Sequence, residues 1–303
     1  MKIKFSLFFK GIAMGAADIV PGVSGGTIAL ITGIYEELIE SIKNINLRLF
    51  KTLFTDGFKS FWKDLNGNFL LTLALGILSS ILLLAQFISY LLINHEFKIW
   101  GFFFGLILSS GLFLYRQVSN LSSISFFYLT LGFLIASIIS LTGPTSTPNN
   151  YFFIFFTGSI AICAMILPGI SGSFILLLLS KYEFIINAIK DMKIDILIVF
   201  AIGCIVGLLL FSRFLSYLFG NYKNNVLSIL SGFLFGSLLK VWPFRTIIET
   251  RINSEGTIEP FVTRPALPNT NNIEEVIFFV IFTLLGYFLI HFLQKKSIED
   301  NKE

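Results

Sequence analysis

Charge is scarce in this chain: Asp, Glu, Lys and Arg make up only 13% of its 303 residues, about half the share of a soluble domain. Cysteine is scarcer still. Cys163 and Cys204 both sit inside apolar runs, which excludes a disulfide framework and a CxxC metal site. With two histidines, His95 and His291, no His-built metal centre is expected, and neither metal nor cofactor is assigned. The net charge of +4 is small, and no nucleic-acid partner is expected. What abounds is apolar: 55% hydrophobic residues, 36 phenylalanines and a mean hydropathy of +0.83. Uncharged runs of membrane length recur, so the chain reads as an all-α polytopic membrane protein in contact with membrane lipids. Its first apolar stretch carries Lys10 and Asp18 and has no A-x-A site, as expected of a membrane element rather than a cleaved leader.

Six stretches can each cross the ~30 Å hydrocarbon core: residues 69–93, 97–115, 122–141, 196–219, 226–242 and 276–293. Two more, 5–40 and 151–189, are broken by Pro-Gly and read as helix–break–helix hairpins. These two are copies. Pro21 and Pro168, 147 residues apart, align without gaps along with Ser-Gly and Tyr-Glu, and GFFFG from Gly101 echoes GFLFG from Gly232. The expected organisation is therefore two repeats, 1–141 and 142–303, each a broken or re-entrant hairpin followed by three spans. A hairpin that enters and leaves on one side makes the repeats inverted, whereas one that crosses makes them parallel. Basic residues favour inversion with a cytoplasmic N-terminus, because Lys10, Lys43, Arg48, Lys51, Lys59, Lys63, Arg116 and Lys223 then share the inner side. Residues 44–68 read as an amphipathic helix on the inner surface, and 242–273 as an outer flap.

The breaks hold Pro21, Gly22, Ser24, Gly25, Gly26 and Thr27 in the first copy, and Pro168, Gly169, Ser171, Gly172 and Ser173 in the second. From Ser24 to Tyr35 is 11 residues, about 17 Å of helix, so the break lies near mid-membrane if Tyr35 and Glu36 mark the interface. Irregular backbone at that depth survives only when buried in protein or lining a cavity. A helix opening there offers free N–H groups and a serine cap, a setting that suits an anion, phosphate especially. Against this stands a plainer role, in which the glycines permit close packing and the serines only cap. Arg213, inside a span and aligned with Gln86, is the expected countercharge, unless it snorkels to the inner interface. Asp18 either carries a coupling proton or caps the Ser24–Thr27 amides. Glu36 and Glu183 are further coupling candidates, and the choice between proton and sodium stays open. Tyr35 and Tyr182 recur in register as secondary site residues, and Lys181 reads as an interfacial anchor.

GIAMGAADIVPGVSGGTIALITGIYEEL at 11–38, AMILPGISGSFILLLLSKYE at 164–183 and VWPF at 241–244 closely resemble the polyprenyl-phosphate translocase family PopT, over practically the whole chain. The resemblance implies a transporter, not an enzyme. Its implied substrate is undecaprenyl phosphate, the C55 carrier lipid of cell-envelope synthesis, moved from the outer to the inner leaflet of the bacterial cytoplasmic membrane for reuse. The resemblance reaches Asp18, Pro21, Gly22, Ser24–Thr27, Tyr35 and Glu36 in the first motif and Pro168, Gly169, Ser171–Ser173, Tyr182 and Glu183 in the second, while their roles follow from the physical reading above. The residues by themselves equally allow a secondary permease or channel for a small soluble anion. A phosphatase reading lacks an in-membrane His–Asp pair and an acidic metal cluster.

Overall fold

Apolar chain in lipid can satisfy its backbone only by coiling on itself, and the computed structural model, which describes residues 5–20, 22–119, 121–252, 258–268 and 272–300, is helical almost throughout. The first broken hairpin comprises α1 (Phe5–Ile19), α2 (Gly25–Ile31) and α3 (Tyr35–Lys43). Then come α4 (Leu47–Thr55), α5 (Gly57–Asp64), α6 (Gly67–Asn94), α7 (Glu96–Arg116) and α8 (Ser123–Leu141). The second hairpin is α9 (Tyr151–Ile166), α10 (Gly172–Leu178) and α11 (Tyr182–Lys190), followed by α12 (Ile194–Val241), strands β1 (Arg245–Ile252) and β2 (Ile258–Pro265), and α13 (Ile273–Asp300).

Five of the described helices, α6, α7, α8, α12 and α13, are long and apolar enough to cross a membrane. The 48 residues of α12 would reach about 72 Å, and it bends at Tyr222 (φ −138°, ψ 41°), so this one helix carries both predicted spans 196–219 and 226–242. The chain is a multi-pass helical membrane protein.

The hairpin boundaries repeat. α2 begins at Gly25 and α10 at Gly172, α3 runs Tyr35–Lys43 and α11 Tyr182–Lys190, each 147 residues on. Backbone conformation repeats too: Gly22 and Gly169 have φ of +87° and +85°, and Gly33 (+74°) is matched by Ser180 (+53°). Each hairpin folds back on its own start. Lys10 Nζ near the start of α1 donates to Thr32 O just past α2 (2.7 Å), and Thr147 Oγ1 just before α9 donates to Leu179 O at the end of α10 (2.8 Å).

Glycine seams join the helices. Gly11 and Gly15 of α1 lie against α6 at Leu73 and Ile77, and Gly158 of α9 lies against α12 at Phe200. The GFFFG glycines, Gly101 and Gly105, press on the backbone of Phe279 and Thr283 in α13, and their counterparts Gly232 and Gly236 press on Leu129 and Phe133 in α8. The second span of each repeat is thus packed on the third span of the other, and the repeats interlock.

Two expectations change in detail. The segment 242–273, expected as an outer flap, adds one small sheet to an otherwise helical fold: β1 and β2 pair antiparallel from Arg245 opposite Pro265 to Ile252 opposite Ile258. Thr246, Ile247, Ile248, Thr250 and Ile252 give β1 the β-branched run that favours strand. The stretch 44–68, expected as one helix on the inner surface, is two helices. They part at Asp56, where Gly57 takes φ +82°, and leave Phe54 and Phe58 exposed at 86% and 64%.

Candidate functional site

Both breaks arise where Pro-Gly ends a helix and a serine starts the next. Pro21 lies outside the described residues, and Pro168 is buried in the turn after α9. Ser24 caps α2, its Oγ accepting from Gly26 N–H (3.1 Å), and Ser171 caps α10, accepting from Phe174 N–H (3.2 Å).

The two breaks touch. Gly22 N–H donates to Ser171 Oγ (3.3 Å) and Gly169 N–H to Thr27 Oγ1 (3.1 Å), so each left-handed glycine is held by a hydroxyl of the opposite hairpin. Ser24 Oγ also donates to Met165 O (2.9 Å), and Ser171 and Ser173 share a hydroxyl–hydroxyl bond of 3.2 Å. A polar junction is therefore built between two chain segments whose flanking helices are apolar. Its first-hairpin side is enclosed, with Ser24 and Thr27 at 0% exposure, while Gly172 and Ser173 on the second side are half-buried.

Asp18 belongs to this junction. Its Oδ1 accepts from Gly25 N–H (2.7 Å), so a protein carboxylate already occupies the start of α2. Capping, one of the two roles read from sequence, is the contact observed. The other predicted acids lie at hairpin ends: exposed Glu36 pairs with Lys223 (2.6 Å), tying α3 to α12, and Glu183 is half-buried in α11. Tyr35 is fully enclosed, with its ring edge on Phe219 at 5.8 Å and no partner for its hydroxyl, while its counterpart Tyr182 is exposed. Lys181, only 2% exposed, donates to Thr147 O (2.5 Å) and Asn149 Oδ1 (2.7 Å) and anchors the loop before α9.

Arg213 is not brought to the breaks. It is exposed, and its Nη2 donates to Ile45 O (3.2 Å) between α3 and α4. Among the described residues, the cation that reaches the junction is Lys240, in the last turn of α12. Its Nζ lies 3.9 Å from the centroid of the Phe174 ring, and its Cγ is 2.7 Å from where a Gly22 side chain would start. Reading the sequence missed it, because a lysine ending an apolar span just before VWPF looks like an ordinary interface marker. A cleft of about 450 Å³ with a mixed lining, Lys10, Glu37, Asn66 and Thr72 beside Ile34 and Phe69, opens next to the first hairpin.

Residues 14–259 match the family described as VCA0040-like, undecaprenyl phosphate translocase-like. A "Polyprenyl-phosphate transporter" of Vibrio cholerae serotype O1 is 46% identical over 263 residues, which cover 87% of this chain and 85% of the relative. A Staphylococcus aureus protein of the same name is 33% identical over 260 residues, 80% of this chain and 87% of that one. No solved structure matches the chain.

Proposed function

The chain belongs to the undecaprenyl phosphate translocase-like family, and on that premise we propose that it moves polyprenyl phosphate, undecaprenyl phosphate in the first place, from the outer to the inner leaflet of a bacterial cytoplasmic membrane. It acts as a carrier and catalyses no covalent step. The returned lipid is available again for envelope synthesis.

A charged phosphate cannot cross hydrocarbon unaided at a useful rate, because an unpaired ion there costs many kcal/mol. The apolar tail has no such barrier and can stay in lipid. What a carrier must supply is a polar path for the head alone, and the observation that carries this reading is the hydrogen-bonded junction of two broken hairpins among membrane helices. Its groups are Gly22, Ser24, Gly25, Gly26 and Thr27 on one side, and Gly169, Ser171, Gly172 and Ser173 on the other.

In the conformation described, Asp18 stands where the head would go, on Gly25 N–H. Protonating Asp18 weakens its hold on that amide and lets the phosphate take its place, which couples exchange to protons. Glu36, in its ion pair with Lys223, is less suited to that role. Exchange that needs sodium and ignores pH would replace this coupling.

An N-terminus inside and inverted repeats would present the junction to both leaflets in turn. Because the repeats interlock through α7–α13 and α8–α12, residues 1–141 do not rock as one body against 142–303. The moving parts are the hairpins, against a core of interlocked spans.

The test is leaflet exchange of polyprenyl phosphate in liposomes containing the purified protein, read by access of an external phosphatase. Thr27→Val combined with Ser171→Ala removes the hydroxyls that hold the two glycine amides, and exchange is expected to slow about tenfold or more, equivalent to roughly 1.4 kcal/mol. Unchanged exchange in that variant would remove the junction from the path. Entry of labelled soluble phosphate without lipid exchange would overturn the lipid substrate.

A further inference from the structure

Most charged side chains described in this molecule are exposed to solvent or bonded to an acid or a carbonyl. Lys240 is different. It is half-buried in the last turn of α12, its stem against Gly22 of the first hairpin and its ammonium over the Phe174 ring of the second. It is thus a cation in contact with both halves of the junction.

No carboxylate of the described residues lies within ion-pair distance of Lys240, and no described acceptor takes a hydrogen bond from its Nζ. A second cation sits beside it. Arg245 Nη2 donates to Lys240 O (3.2 Å) and Leu239 O (2.5 Å), its Nε to Trp242 O (3.0 Å) and its Nη1 to Thr263 Oγ1 (2.8 Å). Arg245 is close enough for the two positive charges to repel, and the acid whose charge reaches Arg245 is Glu96.

The guanidinium therefore has a structural occupation, holding the carbonyls that end α12. The ammonium has three donors, and no described residue accepts from any of them. A partly desolvated, unpaired cation beside another cation is unfavourable on its own, and the face of Phe174 offsets only part of that. The arrangement is one that an anion completes.

We propose, resting on the transport reading above, that Lys240 is the cation that meets the phosphate monoester of the lipid at the hairpin junction, a role the sequence had suggested for Arg213. Gly22 is part of the device. With no side chain and a φ of +87°, it leaves room for the lysine stem to lie along the break. A flexible ammonium acts as a point charge and can follow a moving head group, which a guanidinium fixed on backbone carbonyls cannot.

The test uses the full chain in detergent with farnesyl phosphate as a short lipid monoester, farnesol as its uncharged analogue and inorganic phosphate as the soluble anion. Wild type is expected to bind farnesyl phosphate and to discriminate against farnesol. Lys240→Met should weaken farnesyl phosphate at least about tenfold, about 1.4 kcal/mol, while Lys240→Arg keeps most of the affinity and both variants unfold near the wild-type temperature without ligand. Equal affinity in wild type and Lys240→Met would overturn the proposal, and liposome exchange by wild type would show the transport reading still standing. Lys240-dependent binding together with no leaflet exchange by wild type would uphold the site and sink the transport reading. Inorganic phosphate binding as tightly as farnesyl phosphate would overturn the assignment to a lipid head. Loss of binding in Lys240→Arg as well as Lys240→Met, with a lowered unfolding temperature in both, would reduce Lys240 to a packing role.

Discussion

Tyr35 and Tyr182 occupy the same position in the two repeats, yet only Tyr35 is enclosed, and its hydroxyl has no partner. Leaving such a group unpaired costs about 1–3 kcal/mol. Tyr35→Phe keeps the ring edge against Phe219, so it is expected to raise the unfolding temperature in detergent or leave it unchanged, whereas Tyr35→Ala should lower it sharply by opening a cavity, at about 3–5 kcal/mol for a large aromatic. A clear loss in Tyr35→Phe would mean that the hydroxyl is satisfied in the working protein. The same lesson applies to Arg213 and Lys240. Both are cations in apolar runs, and sequence singles out Arg213, which lies inside a span, while Lys240 at the end of one passes unremarked. Which one meets the junction depends on how the last turn of α12 lies across Gly22, a contact between residues more than two hundred positions apart that no local pattern encodes.

At the scale of elements, α3 is tied to α12 by a small polar cluster. Lys43 Nζ donates to Ser216 Oγ (2.7 Å) and pairs with Glu40 (3.0 Å), and the Ser216 hydroxyl donates to Glu40. Burial alone would lift the Glu40 carboxyl, but the Ser216 and Lys43 hydrogen bonds and the lysine charge outweigh it and hold the group below the usual carboxylate range. A carboxyl whose folded pKa is depressed stabilises above its unfolded value, about 4.3, and loses that contribution as pH falls through the folded one. Unfolding temperature measured between pH 6 and pH 3 should therefore drop more in wild type than in Glu40→Gln. Parallel curves would show that the cluster contributes nothing. Helix starts and stops in the hairpins were legible in advance, since proline, glycine and serine act on their own neighbours. The β1–β2 hairpin was not, because strand pairing joins residues from Arg245 to Pro265 across a polar stretch that in isolation reads as loop.

For the whole molecule, the decisive feature is the exchange of partners between repeats, α7 with α13 and α8 with α12, through the glycine seams. Expressed alone, residues 1–141 should fail to give a monodisperse protein, because α7 and α8 would each lack the helix they pack on. Co-expression with 142–303 should restore a stable complex on size exclusion. A stable lone fragment would show that the repeats are independent and would reopen rocking between them. The sequence by itself determined that the chain lives in a membrane as helices, that it is a duplication, and where both copies break. Hydropathy, repetition and Pro-Gly are local properties, and they act wherever they occur. Only the tertiary structure decided that the two breaks bond to each other, that Asp18 closes onto Gly25, that the repeats interlock and that Lys240 lies against Gly22 and Phe174. Those outcomes depend on which helices can approach closely enough to touch, and that is settled by side-chain volume and packing summed over the whole bundle.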